Sequence, residues 1–184
     1  LFQDWAMRTV AIKPYPICHF NHAPVDAAIV LREQHGLTPD EIASVTIGLD
    51  KRQFGVVVDP IEAKRAPQSE YDAKFSVPYA VATALCKGRF TLADLEDAAR
   101  VDAEVLSLAQ RIECNHDDRS RYPDAFSGGV KIILTDGTEL EHFEAVNRGA
   151  EGQLLSAEQV NAKFLDNCAL TIPAGKAEQL WSVM

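Results

Sequence analysis

The sequence contains no apolar run of about 18 residues, so it offers no candidate transmembrane helix. It also lacks a basic block. Lys and Arg number 18 against 27 Asp and Glu, and the net charge is -9. A nucleic-acid or anionic-membrane binder needs a basic face, so neither partner is expected. Cysteine is sparse: Cys18, Cys86, Cys114 and Cys168 are scattered and form no CxxC pair. Such thiols read as reduced, mostly buried side chains of a cytoplasmic protein. No P-loop, GxGxxG, HExxH or GxSxG is present, which argues against nucleotide hydrolysis, Rossmann binding, zincin chemistry and the α/β-hydrolase mechanism. Leu1-Phe2-Gln3-Asp4-Trp5 has no charged n-region, no long apolar stretch and no initiator Met. The expectation is a chain without a signal peptide, cut from or processed out of a longer polypeptide.

What is present is globular. Hydrophobic residues make up 47% and charged residues 24% of 184 positions. That length buries roughly two thirds of its extended-chain surface, enough for one domain, or one with an appendage. Thr9-Val10-Ala11-Ile12 is β-prone and stops at Lys13-Pro14-Tyr15-Pro16, where two prolines force an extended loop. Asn21 is placed to cap a helix from about His22 to His35, closed by Gly36. Thr38-Pro39-Asp40-Glu41 reads as a second helix start. Val45 to Leu49 alternates like a strand, and Phe54 to Val58 reads as a strand or extended loop.

Ser76 caps an expected helix over Val77 to Lys87, ended by Gly88. Short helices follow from Thr91 and over Asp102 to Gln110, then a strand near Arg111 to Asn115. Val130 to Leu134 and Glu139 to Phe143, joined through Asp136-Gly137, form the clearest local signal, a β-hairpin. Ser156-Ala157-Glu158-Gln159 opens a helix to about Leu170 by a capping box, and Pro173 separates it from a last short helix. Helices mix with antiparallel hairpins without a βαβ rhythm. The class is therefore α+β, an antiparallel sheet with packed helices followed by a C-terminal helical segment.

Two segments concentrate reactive side chains. In the first, Lys13, Cys18, His19 and His22 lie on a Pro-stiffened loop running into a helix N-terminus, where free N–H groups suit a carboxylate. Lys13 as a solvated cation and His22 as a plain cap are the ordinary alternatives. The Cys18, His19, His22 spacing is not a standard zinc framework. In the second, Lys74, Ser76 and Tyr79 repeat the design, although such a Tyr is commonly an amphipathic core residue. Cys114-Asn115-His116-Asp117-Asp118 is a weaker metal candidate, since acids in an irregular stretch are usually solvated. His142 reads as a surface residue of the hairpin.

These stretches carry a resemblance. Lys13-Pro14-Tyr15-Pro16-Ile17-Cys18 with His22 nine residues after the Lys is one part. Ala73-Lys74-Phe75-Ser76-Val77-Pro78-Tyr79, followed by Ala80 and Ala82, is the second. Leu134-Thr135-Asp136-Gly137 and the link through Leu155-Ser156 to Lys163-Phe164 make the third. In order and spacing they resemble the C-terminal part of the MmgE/PrpD family. That family includes 2-methylcitrate dehydratase, cis-aconitate decarboxylase and iminodisuccinate epimerase.

The resemblance implies a lid-type α+β domain over residues 1–150. It implies a helical segment over 151–184 that returns to an N-terminal helical domain outside this chain. It further implies a homodimer with no cofactor and no metal, acting on a small di- or tricarboxylate in a cleft between domains, and the scattered thiols add the expectation of a cytoplasmic location. By position Lys13 and Tyr79 match polar residues lining that cleft, His22 a commonly placed His and His19 an often basic position; Lys13, His22 and Tyr79 are the catalytic candidates, and Cys18, His19, Lys74 and Ser76 the substrate-binding ones. Cys18 stands where a decarboxylase-like member carries His. Dehydration is the expected reaction, with epimerisation of a dicarboxylate or a non-catalytic domain as alternatives.

Overall fold

A computed structural model describes residues 10–183. Four strands and a larger set of short helices bear out the α+β class. The described residues divide into two compact units, one over Tyr15–Asn147 and one made of 10–14 with 148–183.

In the larger unit, α1 spans His22–His35 and ends at Gly36, whose left-handed φ of 63° favours a residue without a Cβ. Its start differs from expectation. A 3-10 turn, His19–Asn21, feeds it, so Asn21 is already helical and its side chain caps nothing. The Thr38 start is a single 3-10 turn, Pro39–Glu41, closed by the Glu41 carboxylate accepting from the Thr38 N–H at 2.9 Å. Strand β1 follows at once over Ile42–Leu49. Phe54 to Val58 is not extended: Asp50 caps a turn at Lys51–Gln53 that runs straight into α2, Phe54–Val57. The local cap outweighs the β preference of three consecutive valines.

Three further short helices surround a long one: α3 (Ile61–Arg65), α4 (Glu70–Lys74), α5 (Val77–Lys87) and α6 (Asp97–Arg100). Ser76 caps α5 as expected, its hydroxyl accepting from the Tyr79 N–H at 3.1 Å, and Gly88 closes it with φ 68°. Then come α7 (Ala103–Gln110), β2 (Ile112–His116), β3 (Gly128–Leu134) and β4 (Glu139–Glu144). The Asp136-Gly137 turn joins β3 to β4, with Gly137 at φ 87°.

The sheet order is β2-β1-β3-β4. It is mixed rather than antiparallel, because β2 runs parallel to β1. The helical stretch between those strands is the long crossover that a parallel pair requires. Val45, Ile47 and Leu49 of β1 face the core with Ile112, Val130 and Ile132 from its neighbours. Helix α1 packs on β3 and β4, and α5 packs on α1 and α7. The first turn of α1 is seated on the head of β3, because Gly128 leaves room for the Pro24 ring and the Leu49 side chain. The first half of α1 is consequently buried on nearly every side.

The smaller unit holds α8 (Ala157–Cys168) and α9 (Ala174–Trp181). Ser156 and Gln159 form the expected capping box, and Phe164 packs against Trp181 with ring centroids 5.6 Å apart. Of the expected first strand, Thr9 lies outside the described residues and Val10–Ile12 is irregular. There the Ile12 N–H donates to the Gly149 carbonyl at 3.0 Å.

Gly128→Ala is expected to destabilise the protein by about 1–3 kcal/mol, the usual cost of overpacking. An added Cβ would lie 2.8 Å from two carbons of the stiff Pro24 ring. Urea unfolding measures the loss, and an unchanged midpoint would show that the helix start moves freely off the sheet.

Candidate active site

The site grows from the loop ahead of α1. Prolines at 14 and 16 keep this segment extended, so Tyr15 and Ile17 alternate inward and are both buried. Cys18 then turns the chain into the 3-10 turn, with the Asn21 N–H donating to its carbonyl at 3.0 Å. The Lys74 carbonyl receives two donors from this loop, the Cys18 N–H at 2.8 Å and the Asn21 Nδ2 at 3.3 Å. The two motif segments, 53 residues apart for Asn21 and Lys74, are thereby stitched side by side.

A chain of rings follows. The Tyr15 hydroxyl donates to the buried Asp26 carboxylate at 2.6 Å. Tyr15 meets His22 edge-on at 5.4 Å, and His22 meets His19 at 4.9 Å. His22 is fully buried and its Nε2 lies 3.3 Å from the Ile17 carbonyl. A carbonyl only accepts, so this nitrogen carries a proton. His19 is half-buried, stacks on Phe126 at 4.4 Å with 22° between planes, and sits 2.9 Å from the Asn147 amide nitrogen. An amide nitrogen only donates, so Nε2 of His19 accepts and a neutral ring carries its proton on Nδ1.

Phe126 is brought there by the loop between β2 and β3, where Phe20, Tyr122 and Phe126 cluster. Arg52 fixes one side of that loop. Its guanidinium grips Asp50 by two bonds of 2.8 and 2.9 Å, donates to the Tyr122 carbonyl, and lies 4.9 Å over the Tyr122 ring. The Arg52 hydrogen bond holds the Asp50 carboxyl down to about 2. Asp50 and Arg52 therefore remain paired throughout the neutral range.

The sequence candidates separate on these contacts. Cys18, His19 and His22 are brought together at the start of α1. Lys74 joins them through its backbone, while its ammonium pairs with Glu70 one helical turn back. Ser76 is a buried cap whose hydroxyl also donates to the Lys64 carbonyl. Tyr79 is the largest departure from expectation. It is fully buried, donates its hydroxyl to the Asp94 carbonyl at 2.6 Å and packs edge-on against Phe90. Burial pushes its phenol up to about 12. A hydroxyl already donated inside the core is a packing anchor here rather than a cleft-lining donor. Lys13 is exposed and belongs to the smaller unit.

Tyr15, Asp26, Phe126 and Asn147 complete the constellation and were missed as site residues. Tyr15 lies within the Lys13–Cys18 motif, and Asp26 lies one helical turn after His22. Phe126 and Asn147 carry no local signal at all. None of the four cysteines forms a disulfide. Among the described residues no group of three or more His, Cys, Asp or Glu could hold a metal ion, and no helix is long and apolar enough to cross a membrane.

A family model described as the MmgE/PrpD C-terminal domain matches residues 15–183. The chain is similar to proteins named 2-methylcitrate dehydratase. The Escherichia coli (strain K12) protein is 29% identical over 150 residues, 76% of this chain and 30% of that protein. The Salmonella typhimurium protein is 29% identical over 147 residues, 74% of this chain and 30% of its own length. A mouse protein named cis-aconitate decarboxylase is 23% identical over 176 residues, 95% of this chain and 36% of that protein. The chain thus spans about a third of the length of these relatives.

Tyr79→Phe is expected to lower stability by about 1–2 kcal/mol through the lost buried hydrogen bond, read by urea unfolding. Burial also raises the Cys86 and Cys114 thiols to about 12. In native protein at neutral pH both are expected to react with maleimide on the order of a hundredfold more slowly than after unfolding. Equal rates before and after unfolding would count against that burial.

Proposed function

We propose, from the premise that this chain belongs to the MmgE/PrpD family as its C-terminal domain, that it forms one wall of a cofactor-independent lyase site. The substrate class is a small di- or tricarboxylate and the reaction a dehydration. The proposal extends to a cytoplasmic homodimer in which a helical domain supplies the opposite wall. The observation that carries the reading is the pairing of His19 with His22 at the head of α1, 4.9 Å between rings. The relatives named 2-methylcitrate dehydratase favour dehydration over decarboxylation or epimerisation.

The chemistry assigns each group a task. Dehydration breaks a C–H bond beside a carboxylate and a C–O bond on the next carbon. The electron pair of the first becomes the double bond, and the hydroxyl leaves with a proton as water. A carboxylate must be clamped by cations and N–H donors while charge develops on it. Lys13 is the proposed clamp, on its charge and its place two residues before Tyr15. Cys18 shapes the wall at the start of α1, next to His19. Imidazole is suited to moving a proton near neutrality, and half-buried His19 is the group proposed to do so. His22, locked by Ile17 and Tyr15, orients His19 from behind. Lys74 serves by holding the two motif segments in place, Ser76 by capping α5, and Tyr79 supports them from the core.

In the intact protein, 2-methylcitrate is expected to be dehydrated, with His19→Asn lowering kcat about a hundredfold or more. Lys13→Ala is expected to raise KM more than it lowers kcat. The 184-residue chain alone is expected to be inactive, because positioning by the second wall supplies much of the rate. Steady-state kinetics on 2-methylcitrate and cis-aconitate decide the matter. Unchanged kinetics in both variants would remove these residues from the site, and carbon dioxide release from cis-aconitate without dehydration would replace the reaction.

A further inference from the structure

A cavity lies in the larger unit, on the side of the helical crossover. Its volume is about 310 Å³ and its walls are Ala66, Pro67, Val101 and Leu106, with Gln68 and Asp97 at the edge and Arg100 within. Arg100 is unusual for a charged residue, with only 10% of its side chain exposed. Its Nε donates to the Leu95 carbonyl at 3.3 Å and its Nη2 to Asp97. Among the described residues, no hydrogen bond engages its Nη1. Asp97 is an inadequate counter-ion, because its own side chain is 97% exposed. Water screens such a pair from one side while the guanidinium remains largely desolvated, so the pair contributes little.

A buried cation beside apolar walls, with a replaceable surface carboxylate as its partner, is the form of a receptor for a different carboxylate. The planar guanidinium offers a second N–H edge to an incoming carboxylate, and the two together match a two-pronged hydrogen bond. The apolar walls and Val101, 71% exposed at the rim, would cover a short hydrocarbon tail. The volume falls at the small end of ligand cavities.

We propose that the Arg100 cavity binds a carboxylate carrying a short aliphatic tail, which displaces Asp97. Two sources share this chemistry, a free short-chain fatty acid and the C-terminus of a peptide ending in an aliphatic residue. The proposal is independent of the reaction assigned above, because it uses neither the His19 cluster nor Lys13.

Calorimetry on the intact protein tests it with sodium hexanoate, with hexan-1-ol as the uncharged control. A peptide ending in leucine, as the free acid and as the amide, tests the other source. Saturable binding of hexanoate or of the free-acid peptide is expected, with neither hexanol nor the amide competing. Because Arg100 is buried, the variants are placed on exposed residues instead. Asp97→Asn removes the competing carboxylate and is expected to tighten binding about two- to fivefold. Val101→Asp puts a like charge at the rim and is expected to weaken it at least about fivefold. Hexanoate alone binding identifies a free acid as the source, and the peptide alone identifies a chain terminus. No saturable binding of either, equal binding of hexanol, or affinities unmoved by both variants would overturn the proposal.

Discussion

The Lys74 carbonyl is the point on which the candidate site depends. It accepts from the Cys18 backbone and from the Asn21 side chain, and so joins the loop ahead of α1 to the approach of α5. Neither segment has a regular ladder to satisfy its backbone there, and a polar group left without a partner inside a protein is costly. The bond therefore fixes where the chain turns, and the turn fixes where His19 and His22 lie. Asn21 gives up its expected cap to make the tie, while the preceding 3-10 turn leads the chain directly into the helix.

Around that tie the packing is unforgiving. Gly128 allows Pro24 against the sheet, which buries the first half of α1 and leaves His22 no route to solvent. His19, three residues earlier, remains half-buried under Phe126. One helix start thus presents two imidazoles in different surroundings, one a fixed interior group and one a rim group. That division is what the proposed roles use, with proton movement at the rim and orientation from within.

Charged groups of the sheet are paired with one another. On the open face of the sheet Asp117 and Glu141 grip Arg119, and Lys131 pairs with Glu139. Asp117 fits there because Gly48 on the neighbouring strand has no side chain. The net charge of -9 is therefore no obstacle to a local carboxylate site. Short-range donors act within a helical turn, and exposed charges about a Debye length away are screened.

The sequence by itself determined the elements whose signals are local. The bounds of α1 and α5, the Asp136-Gly137 hairpin and the Ser156 capping box were all legible. A cap, a left-handed glycine or a tight turn acts between residues a few positions apart. The family resemblance was legible too, since order and spacing of motifs are properties of the chain. Where local signals competed, tertiary structure decided. Phe54–Val57 became helix because Asp50 capped the turn before it, and β2 joined β1 in parallel because the crossover is long enough. Tertiary structure also decided that Tyr79 lies in the core, and that Phe126 and Asn147 meet His19. Those contacts span tens to more than a hundred residues, and nothing in the spacing of neighbouring residues encodes which distant side chain closes them.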